Sequence, residues 1–357
     1  MKRLLLALFC FLSLSVYANE PTPTIEEATD KEAFNPGEMI LHHIGDAHEW
    51  HFATFGDEAE HGTHLTIPLP IIAYRPGHGL SVFSSSRLAE GKVYDGLKLE
   101  HEHLVSEDGT KVYDFSITKN VASLMLSAVL LVIVFTAVAR GYAKRGNGAP
   151  KGIQSFFEPI IIFIRDEVAK KAIGPKYERY MPYLLTVFFF IWFNNLLGLL
   201  PGGANLTGNI AVTLTLAALT LLITLFSSNK NYWSHIFATP GVPKLLLPIM
   251  IPVEIIGIFV KPFSLMVRLF ANITAGHIVI LSFISLIFIF RSAAVSPISI
   301  AFGLFINMLE LLVAILQAYI FTLLTAMYIG GAVEEHHDAD YQMGGGNGAE
   351  PAHAHGH

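Results

Sequence analysis

Val260-Lys261-Pro262-Phe263-Ser264-Leu265-Met266-Val267-Arg268-Leu269-Phe270-Ala271-Asn272-Ile273-Thr274-Ala275-Gly276-His277-Ile278-Val279-Ile280-Leu281 lies inside a largely apolar run of about 46 residues, from Leu245 to Phe290. One arginine, Arg268, stands near the middle of that run. A guanidinium cannot shed its proton to escape a low-dielectric medium, so an intramembrane arginine is a functional candidate by default. At about 100° per residue, Glu254, Lys261 and Asn272 all fall within about 40° of Arg268 on a helix. They form one polar stripe on an otherwise apolar helix. Ala275 continues the stripe one turn on, and its small side chain allows another helix to approach closely. Thr274 sits about 120° off the stripe, and His277 about 180° from Arg268, so His277 faces something else. The plainer reading is a set of scattered polar residues that satisfy one another in a membrane bundle; three ionisable groups on one long stripe weigh against it.

The remainder of the chain has the character of an integral membrane protein. Of its 357 residues 52% are hydrophobic and only 15% charged, against about 25% charged in soluble proteins. Mean hydropathy is +0.51. The net charge of −6 comes with no basic tract for nucleic acid, and Cys10, the one cysteine, excludes an internal disulfide and a multi-thiolate metal site.

Residues 1–18 read as a signal peptide. Lys2 and Arg3 precede the apolar run Leu4 to Val16, and Val16-Tyr17-Ala18 supplies a cleavage site. The alternative is an uncleaved anchor, for which a run of 13 residues is short. Residues 19–115 form a polar, exported (periplasmic) N-terminal extension. Stretches such as His64-Leu65-Thr66-Ile67 and Lys111-Val112-Tyr113-Asp114-Phe115 alternate as short strands do. This extension holds nine histidines, including His42, His43, His48 and His51. Their spacing fits no fixed zinc pattern, so they read as solvated surface histidines.

The membrane domain, 116–333, opens with a crossing helix from Val121 to Ala139. A basic segment follows, Arg140 to Arg179, which the positive-inside rule makes cytoplasmic. Its centre, Ile153 to Val168, reads as a helix lying on or dipping into the interface. Tyr183 to Leu200 and Asn209 to Phe226 are the second and third crossings. Asn194 and Asn195, near the end of the second, are expected to bond neighbouring helices. The last two apolar segments, Leu245 to Phe290 and Pro297 to Ile329, would reach about 69 Å and 50 Å as helices, against a hydrocarbon core of about 30 Å. Either they break or they tilt strongly. Pro248, Pro252 and Pro262 can kink the first without ending it. The fold class expected is an all-α polytopic membrane protein: about five membrane helices ending in a long tilted helical hairpin, an interfacial helix, and a small exported N-terminal domain. The acidic, glycine- and histidine-rich tail, 334–357, reads as disordered and cytoplasmic. His353, His355 and His357 alternate there without a scaffold to hold them as a metal site.

A hairpin turning between Arg291 and Pro297 makes a depth match. Counted from a midpoint between Ala293 and Ala294, His277 and Glu310 are equidistant, and Gln317 falls near the depth of Arg268. Glu310 shares a helix face with Asn307 and Gln317. On spacing alone His277 and Glu310 read equally as a proton relay or as a structural tie between the helices. Glu254 lies on the other side of Arg268. Polar groups in both halves with an arginine between them point to two aqueous half-pathways separated by a fixed positive charge, since an arginine opposes cation flow through a continuous pore.

Three stretches carry a family resemblance: Lys261 through His277, the run Leu316-Gln317-Ala318-Tyr319-Ile320-Phe321, and Asn195-Leu196-Leu197-Gly198-Leu199-Leu200-Pro201. Together they resemble subunit a of the F-type ATP synthase, over about residues 117–335. The extension 19–115 is longer than many bacterial members carry. The resemblance implies a non-catalytic stator subunit in the cell inner membrane, beside a rotating ring of c subunits and in company with b subunits and the rest of the complex. It implies that Arg268 is the family's essential arginine, which holds the facing ring carboxylate in its charged form and blocks a direct leak between half-channels. Gln317 and Asn272 match polar partners near that arginine, and Glu254 an acidic residue of the cytoplasmic half-channel. His277 and Glu310 stand exchanged relative to some bacterial members that have Glu at the first position and His at the second. A pair in contact can trade partners in this way, which favours the relay. Proton translocation is thus expected of Arg268, Glu254, Asn272, His277, Glu310 and Gln317, with no cofactor and no metal site. Choice of ion should depend largely on the ring carboxylate, on another chain. The alternative is a self-contained secondary ion transporter, which usually shows internal repeats; none is convincing across residues 117–330. No Walker-type glycine loop is present to bind ATP.

Overall fold

The computed structural model describes residues 45–55, 63–100, 102–145, 148–200, 203–204, 206–237, 245–290 and 296–334. The expected signal peptide, His42 and His43, residues 291–295 of the hairpin turn, and the tail beyond residue 334 lie outside the described residues.

The extension folds from alternating strands. β1 (Glu49–Phe55) and β2 (Thr63–Pro68) pair antiparallel, with Trp50 opposite Ile67. β3 (Pro70–Arg75) is flanked by β4 (Gly79–Ser84) and the short β7 (Tyr113–Asp114) in an antiparallel sheet, and β5 (Leu97–Glu100) pairs with β6 (His103–Ser106). Alternation along β3 sends Ile71 and Ala73 inward, where they join Phe83, Leu88, Leu97 and Leu104 in a small core. Arg75 follows them inward and is held by Asp95 at 3.2 Å.

One histidine departs from the surface reading. His48 is only 3% exposed, because its ring is wedged between two carboxylates. Its Nε2 lies 2.8 Å from Asp114 and its Nδ1 3.8 Å from Glu102. Burial opposes a charge on His48, but the two carboxylates outweigh it and raise its pKa above the usual value. The same corner ties the β-domain to the membrane helices: the Lys119 amide donates to the Ala47 carbonyl at 2.8 Å, and the Asn120 amide to Asp46 at 3.0 Å.

Among the described residues, five helices are long and apolar enough to cross a membrane. α1 (Lys119–Arg145) is the first. α2 (Ile153–Phe163) continues through a π-helical turn (Ile164–Ala169) into α3 (Lys170–Ile173). It dips among the crossing helices rather than lying flat. Phe157 packs 5.6 Å from both Phe135 and Phe189, and Phe189 is mid-way along α4 (Tyr177–Gly198). At the other end of this segment, the Ala172 carbonyl meets the backbone of Gly330, where a Cβ would lie closer than any real contact allows. Only a glycine at 330 lets the two backbones meet. α5 (Ile210–Ser227) is capped by the Asn209 side chain, which accepts from the Ala211 amide. α6 (Lys230–Phe237) is a short connector.

α7 (Leu247–Phe290) and α8 (Ser296–Val333) settle the question of breakage. Both are continuous, 44 and 38 residues long, and α7 carries Pro252 and Pro262 within it. At 1.5 Å per residue they reach about 66 Å and 57 Å, roughly twice the hydrocarbon core, so they must run oblique to the bilayer normal. They pack antiparallel: Phe283 stacks on Phe302 at 5.5 Å, His277 meets Glu310, and Lys261 lies over the ring of Tyr328. α4 and the α2–α3 segment back them, burying Leu184, Phe188, Leu265, Leu269, Ala318 and Phe321 in a common core.

Candidate functional site in the terminal hairpin

The polar stripe lies on a side of α7 that the described residues leave open. Arg268 and Glu254 are half-buried, and Lys261, Asn272 and Ala275 are exposed. Exposed Phe263, Val267, Ile278 and Val279 flank them. Among the described residues, the Arg268 guanidinium makes no hydrogen bond or ion pair. A fixed cation that no described residue neutralises calls for an anion from elsewhere, because an unpaired charge in a bilayer is costly. The Lys261 Nζ sits 5.7 Å over the Tyr328 ring, and Tyr328 is also within electrostatic range of Arg268. Tyr328 was not legible as a site residue from sequence. Its signal was its place on α8, opposite Lys261 in the antiparallel count.

Gln317 is buried, 5% exposed, and the antiparallel register places it at the depth of Arg268. Glu254 lies toward the other end of α7, close enough to Tyr232 on α6 for its charge to act there. The stripe thus has two neighbourhoods, Tyr328 and Gln317 near the arginine and Tyr232 near the glutamate.

His277 faces away from the stripe, as its half-turn offset requires, and meets α8. Its Nε2 is 3.7 Å from Glu310 Oε1, with Glu310 only 4% exposed. The depth match from the hairpin count therefore corresponds to a contact. Gly276 makes room for it: a Cβ there would lie 2.8 Å from Glu310 Oε1. Among the described residues neither Glu310 oxygen has a hydrogen-bond partner. The same holds for Asn307 Oδ1, one turn earlier on α8, and Thr274 Oγ1, one turn before His277. Buried acceptors left unpaired are costly unless water or a mobile proton reaches them. Thr274 and Gly276 were missed from sequence as site residues because neither is ionisable.

The expectation for the paired asparagines divides. Asn195 bonds across helices, its Nδ2 donating to the Ala314 carbonyl at 3.1 Å and its Oδ1 accepting from Thr207 at 2.7 Å. Asn194 donates to Phe190 within its own helix at 2.7 Å. Asn195 therefore fixes α8 one turn beyond Glu310.

Residues 121–330 match the family model described as ATP synthase A chain, and residues 39–124 match one described as a domain of unknown function (DUF8433). The chain is 50% identical to an ATP synthase subunit a of Chloroherpeton thalassium over 234 residues, 63% of this chain and 70% of that one. It is 41% identical to an ATP synthase subunit a 2 of Chlorobium luteolum over 315 residues, 86% of this chain and 79% of the relative. It is 38% identical to an ATP synthase subunit a of Anaeromyxobacter sp. over 319 residues, 85% and 72% of the two chains. The last two alignments are too long to fit within residues 121–357, so the likeness reaches into the N-terminal extension.

Proposed function

The chain belongs to the ATP synthase A chain family, and from that premise we propose how its residues carry protons. It is a multi-pass membrane subunit of an ATP synthase and the proton-channel stator of the Fo sector. The alternative of a self-contained transporter has no support.

In this reading the chain has no active site of its own. The open side of α7 and α8 lies against a ring of c subunits whose membrane carboxylates pass Arg268 in turn. The single observation that carries the reading is Arg268 itself, half-buried at mid-hairpin without a hydrogen bond or ion pair among the described residues. Its charge stabilises the ionised carboxylate facing it and stops protons from crossing directly between the two half-channels. Gln317 and Asn272 supply polar contacts at that depth. On one side, His277 and Glu310 pass protons between water and the ring, with Asn307 and Thr274 lining the approach. On the other, Glu254 serves the cytoplasmic half-channel. The chain sits in the cell inner membrane, with its β-domain periplasmic and its C-terminus cytoplasmic, and is held by b subunits and the rest of the complex.

The test is ATP-driven proton pumping into inverted vesicles carrying Arg268→Ala, with passive leak recorded in the same vesicles. Lost pumping with assembly intact and a raised leak is the expected result. Normal coupled pumping would overturn the role given to Arg268.

A further inference from the structure

Both faces of the β4–β3–β7 sheet are apolar. The inner face is covered by the domain's own core, through Ile71, Ala73 and Phe83. The outer face carries two cross-strand ranks. Val82 stands opposite Ile72, whose carbonyl accepts from the Phe115 amide at 2.8 Å; Leu80 and Tyr113 both stand opposite Tyr74. Leu80 is 64% exposed, Val82 63% and Phe115 66%, with Tyr74 at 44% and Tyr113 at 42%. An antiparallel sheet with one face in water shows polar residues on that face, so one that is apolar on both is built to be covered on both.

Continuity says what covers it. The strand that bears Tyr113 and Phe115 keeps pairing with β3 as far as Ile117, whose amide donates to the Pro70 carbonyl at 3.1 Å. Two residues later it becomes α1, and the first turns of α1 expose Val121, Leu124, Met125 and Leu126 to the bilayer. At about 3.3 Å per residue, Phe115 is within about 13 Å of the start of the membrane helix. The rank containing Phe115 therefore lies at the height of the headgroup layer or just above it. The chemistry agrees. Two tyrosines and a phenylalanine, with the Lys111 Nζ 5.1 Å over the Tyr113 ring, are the residues that settle at a membrane–water boundary. Two carboxylates beside this sheet are turned elsewhere: Asp114 bonds His48 and Asp95 bonds Arg75.

We infer that this outer face, formed by Ile72, Tyr74, Leu80, Val82, Tyr113 and Phe115, rests on the phospholipid leaflet at the β-domain's side of the membrane. The domain is a foot on the lipid surface, and the tie between Ala47 and Lys119 transmits that seating to the first membrane helix. The inference needs α1 to cross the bilayer; it does not depend on the roles given to Arg268 or Glu310.

The experiment uses the assembled complex in lipid nanodiscs. The single substitutions Leu80→Cys, Val82→Cys and Phe115→Cys, each in a Cys10→Ser background, carry an environment-sensitive nitrobenzoxadiazole label. A fourth cysteine at Glu107, exposed and off this face, serves as the control. Phospholipids carrying a nitroxide on the headgroup then act as quenchers. Seating on lipid predicts at least a twofold loss of emission at 80, 82 and 115 and none at 107. Water-like emission without quenching at the three positions would overturn the inference. Blue-shifted but unquenched emission would also overturn it, because a protein segment, from this chain or another subunit, would then cover the face. The labelled positions are all surface sites, and proton pumping by each labelled complex checks that it has assembled.

Discussion

Nε2 of His277 on α7 lies 3.7 Å from Oε1 of Glu310 on α8, His277 standing 13 residues before the end of α7 and Glu310 14 residues after the start of α8. The separation is a little longer than a hydrogen bond. A small closing of the helices would make it a hydrogen bond, and a water can serve as the bridge. Glu310 has no other polar partner among the described residues.

A relay and a tie differ in what Glu310→Gln does. The glutamine keeps the size of the side chain and can still bond His277, but it cannot carry a proton. For a relay, ATP-driven pumping should fall by roughly 10²-fold, the lower end of what a positioned proton-transfer group contributes. Pumping near the wild-type rate would leave only the structural tie. The double exchange His277→Glu with Glu310→His should recover part of the rate.

Gly276 is predicted to matter because of what is absent from it. A Cβ there would lie 2.8 Å from Glu310 Oε1. Gly276→Ala should cost about 1–3 kcal/mol of overpacking and push the carboxyl away from His277. Reduced pumping in assembled complexes is expected, with partial recovery when Glu310→Asp shortens the opposing side chain. No recovery would mean that the crowding falls on the backbone rather than on the carboxyl.

Asn195 should show the reverse balance, with stability affected more than chemistry. Replacing it with Leu removes the bond to the Ala314 carbonyl and leaves the Thr207 hydroxyl, now fully buried, without its acceptor. Interhelical hydrogen bonds of this kind contribute about 0.6 kcal/mol and at most about 2 kcal/mol. The measurement is thermal aggregation in detergent alongside pumping. A lower aggregation temperature with most of the pumping retained is expected; the opposite pattern would place Asn195 in the proton path.

His48 makes the β-domain sensitive to pH. Its folded pKa is raised by Glu102 and Asp114 against the opposing effect of burial, so its contribution is complete below about pH 6.5 and is lost as pH rises through the folded value. Burial works against the charge on Asp114 too, but hydrogen bonds from Ser116 and His48 lower its pKa, so its contribution is present above the usual carboxylate value and lost as pH falls through the folded one. The β-domain of the full-length protein should therefore resist protease best between about pH 4 and 6.5. His48→Ala should cost about 0.5–1.5 kcal/mol, by removing its bond to Asp114 and its charge from between two partly exposed carboxylates, and should flatten the upper side of that profile. An unchanged profile would show that the pair contributes nothing.

Most of the architecture was legible because apolar length and charge placement obey bilayer physics. α5 lies within one residue of the expected crossing at each end, while α1 runs six residues past Ala139 and α4 begins six residues before Tyr183. The strand signals at His64–Ile67 and around Tyr113 also correspond to strands. The site was legible where it is ionisable, since Arg268, Glu254, His277 and Glu310 are conspicuous in an apolar run. Gly276, Thr274 and Tyr328 were not conspicuous, because their part comes from position against the partner helix and not from charge.

Residue order already required that two apolar stretches longer than the membrane is thick carry one arginine between two polar groups, and that His277, on a helix, face away from it. Composition, helical periodicity and the counting of residues from a turn are properties of a single chain, and they suffice for that. Whether the long segments break or tilt was decided by tertiary structure: α8 packs along α7 and α4 for much of its length, and Pro252 and Pro262 are carried within an unbroken helix. Tertiary structure alone also decided that His48 is buried. Its two carboxylates come from residues 54 and 66 positions away, a proximity that no local pattern encodes.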